Sequence, residues 1–196
     1  MIAVIRYNAG NVLSVMNALS RLGHEAVLTD DEALIKHADK VIFPGVGEAS
    51  SAMEYLNRTG LADVIRSLKQ PFLGICLGMQ LMCSSSEEGD TKCLGIFPET
   101  VKAFPRSSGY KIPHVGWNTI SKLKGPLYRN TDENAYVYFV HSYYVPLSSD
   151  TTAVCNYDDL DFSASLSFAN FHGMQFHPEK SGSEGERMLR CFLEDL

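Results

Sequence analysis

No stretch of this 196-residue chain is apolar for long enough to cross a bilayer. The longest apolar runs, VIFPGVG and VYFV, stop far short of the roughly 20 residues that a spanning helix needs. The opening MIAVIRYN lacks the basic start and long apolar centre of a signal peptide. These two absences set the expectation of a cytoplasmic protein with no membrane partner. Positive charge is also scarce. With 17 Lys+Arg against 23 Asp+Glu, a net charge of -6 and a pI near 5.5, phosphate-backbone binding is not expected, and with it no nucleic-acid partner. The five cysteines, Cys76, Cys83, Cys93, Cys155 and Cys191, contain no CxxC pair and no zinc-ligand spacing. They read as free thiols in a reducing compartment, with no metal centre. Repeats, low-complexity tracts and linkers are missing as well. A chain that is 45% hydrophobic and of this length buries a full core, so one compact domain over residues 1–196 is expected.

What is present is an alternation of strand and helix. MIAVIRY reads as a strand, NVLSVMNALSRLG as an amphipathic helix ending at Gly23, HEAVLT and KVIFPG as further strands. A helix from about Ala52 to Leu68, the strand PFLGI and a helix from about Leu77 to Ser84 follow. The expected fold is α/β, a largely parallel central sheet with helices on both faces. The second half is β-rich and divided by turns, in the segments TVKAF, WNTI, AYVYFVHSYYV, TTAVCNY, SASLSFAN and FHGMQFH, before a closing helix SEGERMLRCFLEDL. Those segments read as antiparallel additions to one sheet. SSSEEGDTK reads as a solvated loop.

Chemistry enters at Gly74-Ile75-Cys76-Leu77-Gly78, which lies where a strand turns into a helix. This has the form of a nucleophile elbow with cysteine in place of serine. Glycines on either side let strand and helix backbones pass closely. At a helix N-terminus the positive end of the helix dipole favours the Cys76 thiolate. The Leu77 N–H is free to bind an oxyanion. The other four cysteines read as small buried hydrophobes.

A cysteine nucleophile needs a base, and the base needs an orienting group. In MQFHPEKSG, His177 ends an apolar strand, Pro178 stops it, and Glu179 follows two residues later. On an extended chain that spacing puts both side chains on one side, so Glu179 can hold the imidazole. The segment FPGVG, residues 43–47, lacks the Lys-Ser/Thr of a phosphate loop and the full G-x-G-x-x-G spacing. It reads instead as a tight turn or as an oxyanion strand, in which Gly45 and Gly47 let the backbone reorient and an N–H near Val46 or Gly47 joins that of Leu77.

The segments PGVG, GICLGMQ, PHVGWN, FVHSYY and QFHPEKSG, in this order, resemble the triad-type (class I) glutamine amidotransferases over nearly the whole chain. Within that family they are similar to the glutaminase subunits of imidazole glycerol phosphate synthase. PGVG, PHVGWN and the lysine of HPEKS carry the narrower likeness; anthranilate synthase glutaminases more typically read PGPG, CLGHQ and HPES. The resemblance implies that Cys76 attacks the glutamine amide, His177 protonates the departing ammonia and Glu179 orients His177. It implies that Gln80, the backbone around Ser142 and Tyr143, and Gly47 with its neighbours bind glutamine. Gln80 lies four residues after Cys76, on the same helical face. No cofactor and no metal are implied. The implied partner is a separate cyclase subunit, docked as a heterodimer near Asn11, Trp117 and Lys180, although Trp117 also reads as a core tryptophan. His141 reads as a structural histidine. Where the family often has DYGMGN, this chain has Arg6-Tyr7-Asn8-Ala9-Gly10-Asn11, so Gly10 and Asn11 are kept on an altered flank. Two other readings stay open on the residues: a different elbow-type cysteine hydrolase, and the glutaminase of anthranilate or aminodeoxychorismate synthase.

Overall fold

The computed structural model describes residues 1–7, 12–105 and 111–196. In chain order the first half runs β1 (Ile2–Ile5), α1 (Val12–Arg21), β2 (Ala26–Thr29), α2 (Glu32–His37), β3 (Lys40–Gly45), α3 (Ala49–Thr59), α4 (Leu61–Ser67), β4 (Phe72–Cys76) and α5 (Leu77–Leu81). The second half runs β5 (Ser85–Ser86), β6 (Thr91–Lys92), β7 (Thr100–Ala103), β8 (His114–Ile120), β9 (Ala135–His141), β10 (Tyr143–Tyr144), β11 (Thr151–Tyr157), β12 (Leu160–Phe168), β13 (Phe171–Met174) and α6 (Gly182–Asp195). None of the described helices is long and apolar enough to cross a membrane.

The main sheet has the strand order β11-β12-β13-β4-β3-β1-β2. From β2 to β13 every neighbouring pair is parallel, and β12 then runs antiparallel to both β13 and β11. The sequence of the central strands explains why they are central. IAVI of β1 and FLGIC of β4 are buried at every position, the continuous apolar run of a strand covered on both faces. On one face Ile35 of α2, Met53 and Leu56 of α3, Leu61 and Ile65 of α4 and Met79 of α5 share a core with Phe43 and Phe72. On the other, Val15 and Leu19 of α1 and Met188 and Phe192 of α6 pack with Ile42, Leu73 and Ile75.

Several elements differ from the sequence expectation. The helix expected over about 52–68 begins at Ala49 and is two helices, because Gly60 takes φ 77° and ends α3 with a left-handed turn. The helix after Cys76 stops at Leu81. Helix α2 was not expected; Asp31 caps it by accepting from the Leu34 N–H. SSSEEGDTK is not a solvated loop. It folds into β5 and β6, joins the small sheet β10-β7-β5-β6 and buries Ser86 and Thr91. Among the described residues, the β-rich second half therefore adds only β11 and β12 to the main sheet beside β13, and builds two smaller sheets besides, the second being the hairpin β8–β9. AYVYFVHSYYV breaks at Ser142, so that β9 and β10 belong to different sheets.

This topology positions the site. Strands β3, β4 and β13 lie side by side and end together, at Gly45, Cys76 and Met174. The carboxyl edge of a parallel sheet is where ligands bind in such folds.

Candidate active site

Cys76 is the last residue of β4 and stands directly before α5. Its backbone, at φ 55° and ψ −111°, lies in a region that side-chain-bearing residues avoid, at a cost of about 1–3 kcal/mol. The surroundings enforce that turn. A Cβ on Gly78 would run into the carbonyl oxygen of Phe43 in β3, and one on Gly45 would meet the Tyr7 hydroxyl and the Gly78 nitrogen. Gly45 is paired in register with Cys76, so the PGVG segment leaves the sheet beside the sulfur. Gly47 takes φ 122° there, a conformation suited to glycine.

His177 comes to the same place by a different route from the one its sequence suggests. Strand β13 ends at Met174, and Pro178–Lys180 form a single 3-10 turn. Glu179 therefore reaches the imidazole by turning back, not along an extended strand. Its carboxylate accepts from His177 Nδ1 at 2.8 Å with both side chains buried. The turn is fastened to β9: the His177 N–H donates to the Tyr138 carbonyl, the Tyr138 N–H donates to Ser181 Oγ, and Ser181 Oγ donates to the His177 carbonyl. Burial pulls the His177 pKa down, but hydrogen bonding and charge from Cys76 and Glu179 outweigh it and push it up to about 10. The carboxylate and the sulfur thus favour the charged form of the ring. Nε2 has no hydrogen bond of normal geometry among the described residues, and Cys76 is the group whose charge reaches the ring from beyond Glu179. The other four cysteines are buried, and burial raises each of their pKa values, to about 12 for Cys93 and Cys155.

A cavity of about 290 Å³ opens on Cys76. Val46, Gly47, Leu77, Gln80, His141, Ser142 and Tyr143 line it, so most of the residues expected to bind glutamine meet there. The break between β9 and β10 is what brings the Ser142–Tyr143 backbone to the wall. Gln80 donates from Nε2 to the Tyr143 carbonyl at 2.9 Å. His141 is structural, as expected. Its Nδ1 bonds the Tyr143 carbonyl at 2.7 Å, its Nε2 bonds His114 Nδ1 at 2.9 Å, and burial lowers its pKa to about 3.

The sequence reading missed Glu88, which also lines the cavity. Its carboxylate accepts from the Ala49 N–H at 2.8 Å, and burial raises its pKa. No local pattern marks it, because only the fold of residues 84–92 carries it to the cavity wall. Of the residues expected at a partner face, Trp117 is 55% exposed, which removes the core reading. Its ring meets Tyr138 edge-on at 6.0 Å, and the Lys180 ammonium lies 6.0 Å over the same Tyr138 ring. Asn11, with Asn8 and Gly10 of the altered flank, lies outside the described residues; Arg6 is paired with Asp30 at 2.6 Å.

The sequence comparisons agree with this geometry. The family model described as glutamine amidotransferase class-I matches residues 4–196. The chain is 57% identical over 194 residues to the imidazole glycerol phosphate synthase subunit HisH of Bacteroides fragilis, covering 98% of each chain. It is 55% identical over 194 residues to the protein of the same name from Bacteroides thetaiotaomicron, again covering 98% of each. Among solved structures, a crystal structure of a glutamine amidotransferase superposes with a TM-score of 0.76 at 18% identity, covering 99% of this chain and 98% of the other. A glutamine amidotransferase from Thermotoga maritima gives 0.62 at 18% identity, covering 100% and 83%. At these identities the structures speak to the fold alone. The family match spans all but the first few residues and brings a cysteine elbow, a carboxylate-held histidine and one shared cavity under a single description: this chain belongs to the class-I glutamine amidotransferases.

Proposed function

We propose that the protein is the glutaminase subunit of an imidazole glycerol phosphate synthase. It hydrolyses L-glutamine to glutamate and ammonia and delivers the ammonia to a separate cyclase subunit, which makes imidazole glycerol phosphate and AICAR in histidine biosynthesis. The observation that carries the reading is the buried His177–Glu179 pair at 2.8 Å beside a cysteine in an elbow at the floor of a cavity. The Bacteroides relatives support the narrower assignment. Five unpaired cysteines suit a reducing cytoplasm.

In this mechanism the Cys76 sulfur attacks the side-chain amide carbon of glutamine. The carbonyl oxygen becomes an oxyanion held by the Leu77 N–H, which has no intrahelical partner at the start of α5, and by an N–H of the PGVG segment near Val46 or Gly47. His177 gives its proton to the amide nitrogen, the C–N bond breaks, and ammonia leaves behind a glutamyl thioester. His177, now neutral and still oriented by Glu179, takes a proton from water as the water attacks the thioester. The C–S bond breaks and glutamate departs. Gln80, the Ser142–Tyr143 backbone and Gly47 hold the substrate. Glu88 supplies a carboxylate suited to its α-ammonium group.

Free ammonia at neutral pH is mostly ammonium, which is not nucleophilic. Direct transfer of the neutral molecule to a docked partner avoids that loss. Trp117 and Lys180, gathered on Tyr138 at the surface, supply a face for the cyclase. The test is glutamine turnover by this chain with the purified cyclase and its nucleotide substrate, measured beside Cys76→Ala. Turnover that rises several-fold only with the liganded cyclase, and vanishes in the variant, is the expected result. Hydrolysis by Cys76→Ala would overturn the mechanism, and indifference to the cyclase would overturn the partner.

A further inference from the structure

Gln175 has no part in the mechanism above, yet it touches the nucleophile. It follows β13 by one residue and is fully buried. Its Oε1 accepts from Gln80 Nε2 at 2.8 Å, and its Nε2 lies 3.8 Å from Cys76 Sγ.

The orientation of both amides follows from their last acceptor. The Tyr143 carbonyl can only accept, so the nitrogen of Gln80 must face it. The same nitrogen faces Gln175, whose oxygen must therefore be the atom that meets it. This leaves the Gln175 NH2 group pointing at sulfur. The thiol, for its part, donates to the Val140 carbonyl at 3.7 Å. Ionisation deletes that bond and sets a carbonyl oxygen against a sulfur anion. A hydrogen bond from Gln175 changes in the opposite sense, because it strengthens when its acceptor becomes charged.

We propose that Gln175 is a further catalytic residue: its amide N–H holds the Cys76 sulfur as a thiolate aimed into the cavity, while its carbonyl ties that sulfur to substrate-binding Gln80 in one hydrogen-bonded chain. The inference rests on Cys76 being the nucleophile. It has a corollary for the substrate. Both N–H groups of Gln80 are spent on Tyr143 and Gln175, so only its Oε1 remains, and it serves glutamine as an acceptor.

The titratable groups near the sulfur are His177 with Glu179 behind it, His141, Tyr7 and Glu88. Substitution at Gln175 leaves all of them in place. Gln175→Met removes donor and acceptor at similar volume; Gln175→Glu keeps the oxygen used by Gln80 but replaces the donor with a second oxygen. The measurement is the rate of Cys76 alkylation by iodoacetamide against pH, without substrate, followed by kcat and KM for glutamine with the cyclase bound. Both variants are expected to have the half-maximal pH of alkylation raised, by about one unit in Gln175→Met and by more in Gln175→Glu, so that alkylation slows by up to about tenfold in Gln175→Met on the acid side of the wild-type half-maximum and little above it. Gln175→Glu should lose kcat with KM nearly kept, since Gln80 retains its partner; Gln175→Met should lose both. An unshifted alkylation profile, with only a lower melting temperature or a raised KM, would overturn the proposal and leave Gln175 a packing residue. Failure of the wild-type chain to hydrolyse glutamine, or alkylation elsewhere than Cys76, would instead overturn the parent reading.

Discussion

The turn after β13 and the β8–β9 hairpin each carry a buried histidine close to the cavity, and the two are tuned in opposite directions. His177, in the turn, bonds a carboxylate and has its pKa pushed up to about 10. His141, at the end of the hairpin, bonds a backbone carbonyl and the imidazole of His114, and burial takes its pKa down to about 3. Burial alone disfavours the charged form in both. What separates the ring we propose as the acid–base group from the other is the charge of the partner, and the sequence supplies that charge two residues away in one case only.

The largest effect should come from removing the ring in each region. His177→Gln is expected to lower glutamine turnover by about 10³-fold or more, within the range for loss of a general acid–base group. His141→Gln should keep turnover within about tenfold while destabilising the fold by roughly 1–3 kcal/mol, because His114 is left with an unmet buried partner. Stopped assays beside urea unfolding separate the two outcomes. Equal losses of turnover would erase the distinction between the regions.

A second, smaller contrast should appear in Glu179→Gln. The amide still positions the ring but no longer favours its charge, so turnover should fall by about 10- to 100-fold, less than in His177→Gln. Thermal unfolding followed across pH sharpens this. The raised pKa of His177 contributes stability that is present in full below the unfolded value of about 6.5 and is lost as pH rises through about 10. The lowered values of His141, His114 and His172 act on the other limb. Their unfolded forms bind protons that the folded protein refuses, so stability is full above about 6.5 and falls as pH drops toward 3–4. In Glu179→Gln the alkaline decline should flatten and the acid decline stay as it was. Changes on both limbs would mean that the two regions are coupled.

The smallest effect on stability is expected on the outer surface that the two regions share, at Trp117 of the hairpin and Lys180 of the turn. Trp117→Ala and Lys180→Ala should change unfolding free energy by less than about 0.5 kcal/mol, as surface substitutions do, and leave basal turnover unchanged. Their cost should fall on stimulation by the cyclase, read as the ratio of turnover with and without it. A large loss of stability in Trp117→Ala would return that residue to the core.

Cys76, His177 and Glu179 were legible because each is announced within a few residues: glycines around a strand–helix junction, and a carboxylate two positions past a strand-ending histidine. The parallel half of the sheet was legible for a similar reason, since strands buried on both faces write their burial into consecutive residues. Glu88 and Gln175 were not. Glu88 reaches the cavity only because residues 84–92 fold into a small sheet, and Gln175 matters only through side chains far from it in the chain. The break at Ser142 was hidden because FVHSYY is continuous in β character, and only the choice between two sheets divides it. Trp117 was ambiguous because alternation along β8 does not say which face the core takes; the register with Tyr138 decides it.

The backbone turn at Cys76 sets two selective pressures against each other at one codon. A glycine there would relax the dihedral strain that φ 55° imposes, so the sturdiest version of this elbow is one without a thiol. Copies of the gene released from the need to make ammonia are therefore expected to drift toward glycine at position 76 and gain thermal tolerance as they do. In a lineage of such proteins, the loss of catalysis would leave its mark as an improvement in folding.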